Sequence, residues 1–235
     1  MRCPLPDKLT LFYAVTPDLP YPRFAAQSIY SALRANPGIR IHLIEVPMDE
    51  YAEAAHVQGL PVEPDGRRDE WCAILDADCW VNGSLAPLLD HPEPINLRVA
   101  NAWRKGQINH DEWWAICDRF RLSQVPVFSN GLILCRRYVA TVLRAELLPW
   151  MERIRSCGLP DPMHIKKRSE WWMRDQYALA AICATHAWPV GRLSAKDISW
   201  NFNGETGGIV HHVGKDFNPF TEAEWPQYMI TGQRS

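Results

Sequence analysis

The sequence has no apolar run approaching the roughly eighteen residues that a bilayer-crossing helix requires. A membrane-spanning segment is therefore not expected. Residues Met1 to Thr10 carry prolines and charges where a secretory signal needs an uninterrupted apolar stretch, so a cytoplasmic protein is expected. The seven cysteines, at positions 3, 72, 79, 117, 135, 157 and 183, include no CxxC pair and no metal-ligand spacing. Their odd count speaks against a disulfide framework and for reduced thiols. Charge of one sign is also missing, since 25 basic and 27 acidic residues leave a formal net charge of -2. Whole-chain electrostatics thus give no nucleic-acid-binding signature. Without internal repeats or a Gly/Ser-rich linker, residues 1–235 read as a single domain.

What is present is an alternation of short apolar runs and helical periodicity. Leu9 to Val15 reads as a buried strand ended by Thr16-Pro17-Asp18. From Pro22 to Ala35, Phe24, Ala25, Ile29, Ala32 and Leu33 fall near helical spacing, and Asn36-Pro37-Gly38 stops the helix. Ile39 to Val46 reads as a second strand, which makes a parallel βαβ opening. Trp71 to Leu75 is a third buried strand. Ile95 to Ala100 and Val125 to Leu134 read as further strands, and Tyr138 to Ile154 and Trp171 to Thr185 as helices. The fold class is α/β.

Asp76-Ala77-Asp78 follows the third strand directly, at the end where open α/β sheets gather ligands. On an extended backbone, residues two apart point the same way, so the two carboxylates can share one divalent cation. Hard oxygen ligands suit Mg²⁺ or Mn²⁺, which would neutralise charge on a diphosphate. Loop solvation is the equal alternative for two such aspartates standing alone.

The ordered set of segments resembles the family-8 retaining glycosyltransferases, the group that includes glycogenin and bacterial lipopolysaccharide galactosyltransferases. The resemblance rests on the first strand, the Ser28-Ile29-Tyr30-Ser31 helix ending in Asn36-Pro37, and Ile74-Leu75-Asp76-Ala77-Asp78. It continues through Phe128-Ser129-Asn130-Gly131, Asp175-Gln176, Trp200-Asn201 and Ile209-Val210-His211-His212-Val213-Gly214. It implies a GT-A fold: a mixed, mainly parallel sheet flanked by helices, with a Rossmann-like nucleotide-binding half. It also implies a UDP-sugar donor lying against Ala14, Val15 and Thr16, with Ala77, Asn130, Gly131 and Gly214 nearby. The implied Mn²⁺ or Mg²⁺ is held by Asp76, Asp78 and one histidine.

Two histidines compete for that place. His211 has Gly214 at the family's third following position, whereas His212 has Asn218-Pro219-Phe220 where the family has Lys-Pro-Trp. His211 is favoured, because Ile209 and Val210 reproduce the apolar approach to the ligand. The motif lysine that holds the departing diphosphate is replaced by Asn218, and Lys215 is the substitute in the same loop, with a merely solvated lysine as the alternative. Arg68, with Arg67, stands where the family often has an arginine touching the donor; a surface pair is the equal alternative. Asp175 and Gln176 are implied to contact the transferred sugar. Gln is too weak a nucleophile for easy double displacement, so front-face attack with retention is the implied route.

Nothing in these residues names the acceptor. A glycan hydroxyl is the family expectation. Trp113-Trp114 and Trp171-Trp172 are adjacent pairs in polar surroundings, and Lys166-Lys167-Arg168 precedes the second pair. Such aromatics either stack on a ligand or bury a loop. With the basic run they leave open an alternative acceptor, a hydroxymethylated base in DNA. A nucleotidyltransferase would share the sheet and the acidic metal site. It would need a glycine-rich phosphate loop, which Thr16-Pro17-Asp18-Leu19 is not.

Overall fold

The computed structural model describes residues 8–15, 21–45, 70–100, 110–157, 174–200 and 207–211. In chain order these form β1 (Leu9–Val15), α1 (Tyr21–Ala35), β2 (Arg40–Glu45), β3 (Trp71–Leu75) and β4 (Cys79–Val81). A 3-10 turn (Ala86–Asp90), β5 (Ile95–Val99), α2 (His110–Phe120), β6 (Phe128–Arg136) and α3 (Arg137–Ser156) follow. The described elements end with α4 (Arg174–Thr185), β7 (Val190–Arg192), β8 (Ile198–Trp200) and β9 (Ile209–His211).

Six strands form the main sheet in the order β2-β1-β3-β6-β5-β7. All neighbours pair parallel except β6, which runs antiparallel to both β3 and β5. The sheet is mixed and mainly parallel, with helices packed on it, as the sequence implies. Side-chain alternation explains the layering. Leu9, Leu11 and Tyr13 of β1 and Trp71, Ala73 and Leu75 of β3 join a core with Ala32 of α1. Phe12, Cys72 and Ile74 face the other way, into a core with α2, α3 and α4. Each large aliphatic side chain fully buried there stabilises by roughly 1.5–3 kcal/mol.

A small second sheet, β4-β9-β8, packs on the α1 side. The serines and asparagine of α1 explain its placement. Ser31 Oγ accepts the Val81 amide at 2.9 Å. Asn36 Oδ1 accepts the Leu85 amide at 2.8 Å, and its Nδ2 donates to Gly83 O at 3.1 Å. Ser28 Oγ donates to the buried Tyr13 hydroxyl at 3.0 Å. Polar groups that would otherwise be buried without partners thus clamp β4 and the chain after it to the helix. Gly38, at φ 83, makes the left-handed turn that follows α1.

The structure corrects several boundaries. Asp76-Ala77-Asp78 does not continue an extended strand: it forms a turn, closed by the Cys79 amide on Asp76 O at 3.1 Å, that leads into β4. The second strand starts at Arg40, after the turn that Gly38 makes. The strand expected from Val125 starts at Phe128, because Val125 O accepts the Trp113 indole N–H at 2.8 Å instead of a ladder partner. The segment read as a loop around Trp113 contains α2. Trp113 is fully buried and stacks on Tyr177 at 5.5 Å, so it is core and not a ligand platform. Trp171 and Trp172 lie outside the described residues.

At the sheet's opposite end from the Asp76 turn, Glu70 precedes β3 with its side chain only 4% exposed. Its carboxylate accepts Thr10 Oγ1 of β1 at 2.7 Å and Arg137 Nη1 of α3 at 2.7 Å, and pairs with Arg40 of β2 at 2.5 Å. One anion thereby ties three parallel strands to a helix. Removing it takes the carboxylate partner from both guanidinium groups. We expect Glu70→Ala to cost about 3 kcal/mol in urea denaturation, the low end for a broken buried pair because the Arg40 side chain is 33% exposed.

Candidate active site

Because β6 is antiparallel, its start lies beside the carboxyl end of β3. Leu75 pairs with Leu132, and the Asp76 amide donates to Gly131 O at 3.2 Å. On the other side of β3, Tyr13 pairs with Leu75, so Ala14 and Val15 lie beside the Asp76 turn. Ala14 is half-buried and Val15 buried. From the small sheet, β9 brings His211 opposite Cys79. Three elements thus bring Asp76, Asp78 and His211 together.

The Nε2 atom of His211 lies 3.3 Å from Asp76 Oδ2 and 3.1 Å from Asp78 Oδ1. Its Nδ1 is buried without a hydrogen-bond partner. Adjacent corners of an octahedron drawn at Mg–O distances are about 3 Å apart. Each carboxylate therefore stands near the spacing of a neighbouring ligand from the imidazole nitrogen. The ligand atoms of Asp76, Asp78 and His211 are not all within 4.8 Å of one another, so the two aspartates must close in to hold one Mg²⁺ or Mn²⁺. Gly131 makes the approach of the imidazole possible, because a Cβ built there overlaps the His211 ring. The space that the missing side chain leaves is filled by the imidazole, not kept open for a sugar.

Charge balance in the metal-free cluster follows from the same geometry. Burial pushes the Asp76 carboxyl up; the His211 cation opposes this and the Asp78 charge adds to it, and the net shift is upward. Burial pushes His211 down, but the Asp78 and Asp76 carboxylates outweigh it and raise the imidazole to about 9. A proton thus occupies the place that fits a cation. Cys79, which the sequence reading passed over although it directly follows the aspartates, donates its thiol to Gly131 O at 3.1 Å. Burial and both carboxylates raise it well above its ordinary value, so it is a neutral thiol here.

One residue before Gly131, the Asn130 amide donates to the buried Asp175 carboxylate at the start of α4. Asp175 thus belongs to the same site through β6 and also sits in a helix first turn, where its charge is favoured. The neighbouring Gln176 Oε1 is buried with no hydrogen-bond partner. Arg98 of β5, unnoticed in the sequence, is buried, donates to Ile198 O and lies 3.9 Å over the Trp200 ring. Trp200 pairs with His211 across β8 and β9, so this cation–π contact holds the small sheet to the large one beside the site. Thr16, Arg67, Arg68, Lys166 to Arg168, Asn201, His212, Gly214, Lys215 and Asn218 lie outside the described residues.

Two outcomes follow for the metal-free protein. In Gly131→Ala the His211 ring is displaced from the carboxylates, and its pKa, followed by NMR, falls from about 9 toward the ordinary value near 6.5. The second concerns pH. A raised folded-state pKa means that the fold holds the proton more tightly than the unfolded chain does, so stability present below pH 6.5 is lost as pH rises through 9. Asp76 shifts in the same direction. With chelator present, the Tm should fall between pH 6.5 and 9, and His211→Asn should flatten that fall.

No family model matches this sequence, and no curated protein sequence matches it. Solved structures do share the fold. The galactosyltransferase LgtC, solved in complex with donor and acceptor sugar analogues, aligns over 87% of this chain and 87% of its own, with a TM-score of 0.56 at 13% identity. A glycosyltransferase involved in glycosylation of the major capsid of PBCV-1 aligns over 94% of this chain and 98% of its own, with a TM-score of 0.54 at 13% identity. The glycosyltransferase GlyE of Streptococcus pneumoniae covers 95% of this chain with 60% of its own, at a TM-score of 0.52 and 15% identity. This chain has the GT-A fold of these glycosyltransferases.

Proposed function

We propose that this protein is a metal-dependent glycosyltransferase that moves a hexose from a nucleotide diphosphate sugar, a UDP-sugar, to a hydroxyl of a glycan acceptor with retention. It works as one domain in the cytoplasm. The observation that carries the reading is the convergence of Asp76, Asp78 and His211 Nε2 at the carboxyl end of β3, in a fold shared with glycosyltransferases. Among the described residues, no helix is long and apolar enough to cross a membrane.

In this reading Asp76, Asp78 and His211 hold Mn²⁺ or Mg²⁺. When bound, the cation neutralises charge building on the departing diphosphate. The protein's own groups supply position. Backbone groups of Ala14 and Val15 lie where the base would be read, and Thr16, Arg68, Ala77, Gly214 and Lys215 complete the donor contacts. The Asn130 amide fixes Asp175 so that its carboxylate meets the sugar hydroxyls without rearranging. Gln176 Oε1 is a buried acceptor without a donor, a costly state that a substrate hydroxyl relieves. An amide there is a poor nucleophile. The acceptor hydroxyl therefore attacks from the leaving group's side, and its proton passes to the departing diphosphate oxygen.

Calorimetric titration with UDP-glucose, UDP-galactose, UDP-N-acetylglucosamine and GDP-mannose, with Mn²⁺ and with chelator, tests this directly. One donor should bind only with metal, and Asp78→Ala should weaken it by about 100-fold while the fold persists. Equal donor affinity in the variant removes the metal assignment, and failure of every donor removes the transferase reading.

A further inference from the structure

Cys79 has no part in the reaction above, yet it stands beside the cation ligands. It is directly opposite His211 in the antiparallel β4–β9 pair. Residues opposite one another in such a pair project from the same face, so thiol and imidazole lie side by side. Asp78 is the preceding residue. The Cys79 Sγ, an Asp78 carboxylate oxygen and a His211 ring nitrogen all lie within 4.8 Å of one another.

One sulfur, one nitrogen and one oxygen are a poor set for Mg²⁺, which takes oxygen ligands, but a good one for zinc. Three protein ligands with the fourth position left to solvent is the usual open zinc site. Tetrahedral bonds to zinc would place S and N about 3.5 Å apart, so donors that already lie within 4.8 Å of one another need only a small closure. The contacts given up are the thiol's hydrogen bond to Gly131 O, a weak one because S–H is a weak donor, and the proton that His211 shares with the two carboxylates, whose charge balance zinc takes over.

We propose that this pocket binds zinc in a second mode, through Asp78, Cys79 and His211. Zn–S, Zn–N and Zn–O bonds form, the thiol proton and the imidazolium proton leave to solvent, and no electron is transferred. The two modes share Asp78 and His211, so zinc and the hard cation exclude one another, and zinc acts as an inhibitor of the loaded enzyme. The competition rests on the metal reading proposed above; the zinc mode itself rests on the three side chains.

The test uses the full chain stripped of metal, with Co²⁺ as a spectroscopic probe and calorimetry with Zn²⁺ and Mn²⁺. Wild type should show a thiolate-to-cobalt charge-transfer band in the near ultraviolet that Zn²⁺ bleaches. Cys79→Ser should lose the band and bind Zn²⁺ at least ~10-fold more weakly, with Mn²⁺ affinity held within about twofold. Cys79→Ala serves as the second variant where the serine fails to fold. Absence of the band in wild type, its persistence without Cys79, or equal Zn²⁺ affinity in the variants overturns the proposal. Failure of Mn²⁺ to bind wild type while Cys79-dependent zinc binding is seen defeats the hard-cation reading alone.

Discussion

The imidazole of His211, set between two carboxylates in the hollow at Gly131, is the constraint on which the rest of this end of the molecule depends. Two anions at a turn repel each other, and burial makes their charge costlier still. Something positive must sit between them. A ring can reach them only from a second sheet, and only because β6 offers a residue without a side chain at the crossing point. The small sheet, the clamp from α1 and the Arg98–Trp200 stack serve that approach.

The same molecule solves the charge problem differently at its other end. Glu70 is a single anion shared by a hydroxyl and two guanidinium groups, so its charge is balanced by groups that do not give up their protons. Around Asp76 the balance is held by a proton that a ligand can displace. The first arrangement fixes strand order, and the second is poised for exchange. A fold that paired both carboxylates with arginine would be rigid there and unable to take up a cation.

Much of this was legible in the sequence. Short, almost wholly apolar runs gave β1 and β3 with the bounds observed, since strands buried on both faces carry few polar residues. The joint appearance of Asp76, Asp78 and His211 in one site came from the order of motifs, not from spacing, because 132 residues lie between Asp78 and His211. The turn at Asp76 was hidden, as a three-residue strand after it leaves no periodicity to read. The helix holding Trp113 was missed although Trp113, Ile116, Cys117 and Phe120 keep helical spacing, because the polar residues before them suggested a loop. Arg98 had no signal, since a lone arginine in a strand looks like a solvated edge until its aromatic partner is known.

The antiparallel course of β6 has a further meaning for how such a protein can change. Had this strand run with its neighbours, a loop would meet the Asp76 turn, and loops tolerate insertions. Here the floor of the site is β6 backbone, where Gly131 O takes the Asp76 amide just beyond the last β3 pair, Leu75–Leu132, and where the register with β5 shifts. Moving either residue by one place would take the gap away from His211 or the amide away from Asp175. The two positions are thus fixed by their partners, His211 and Asp175, and not by an unbroken ladder.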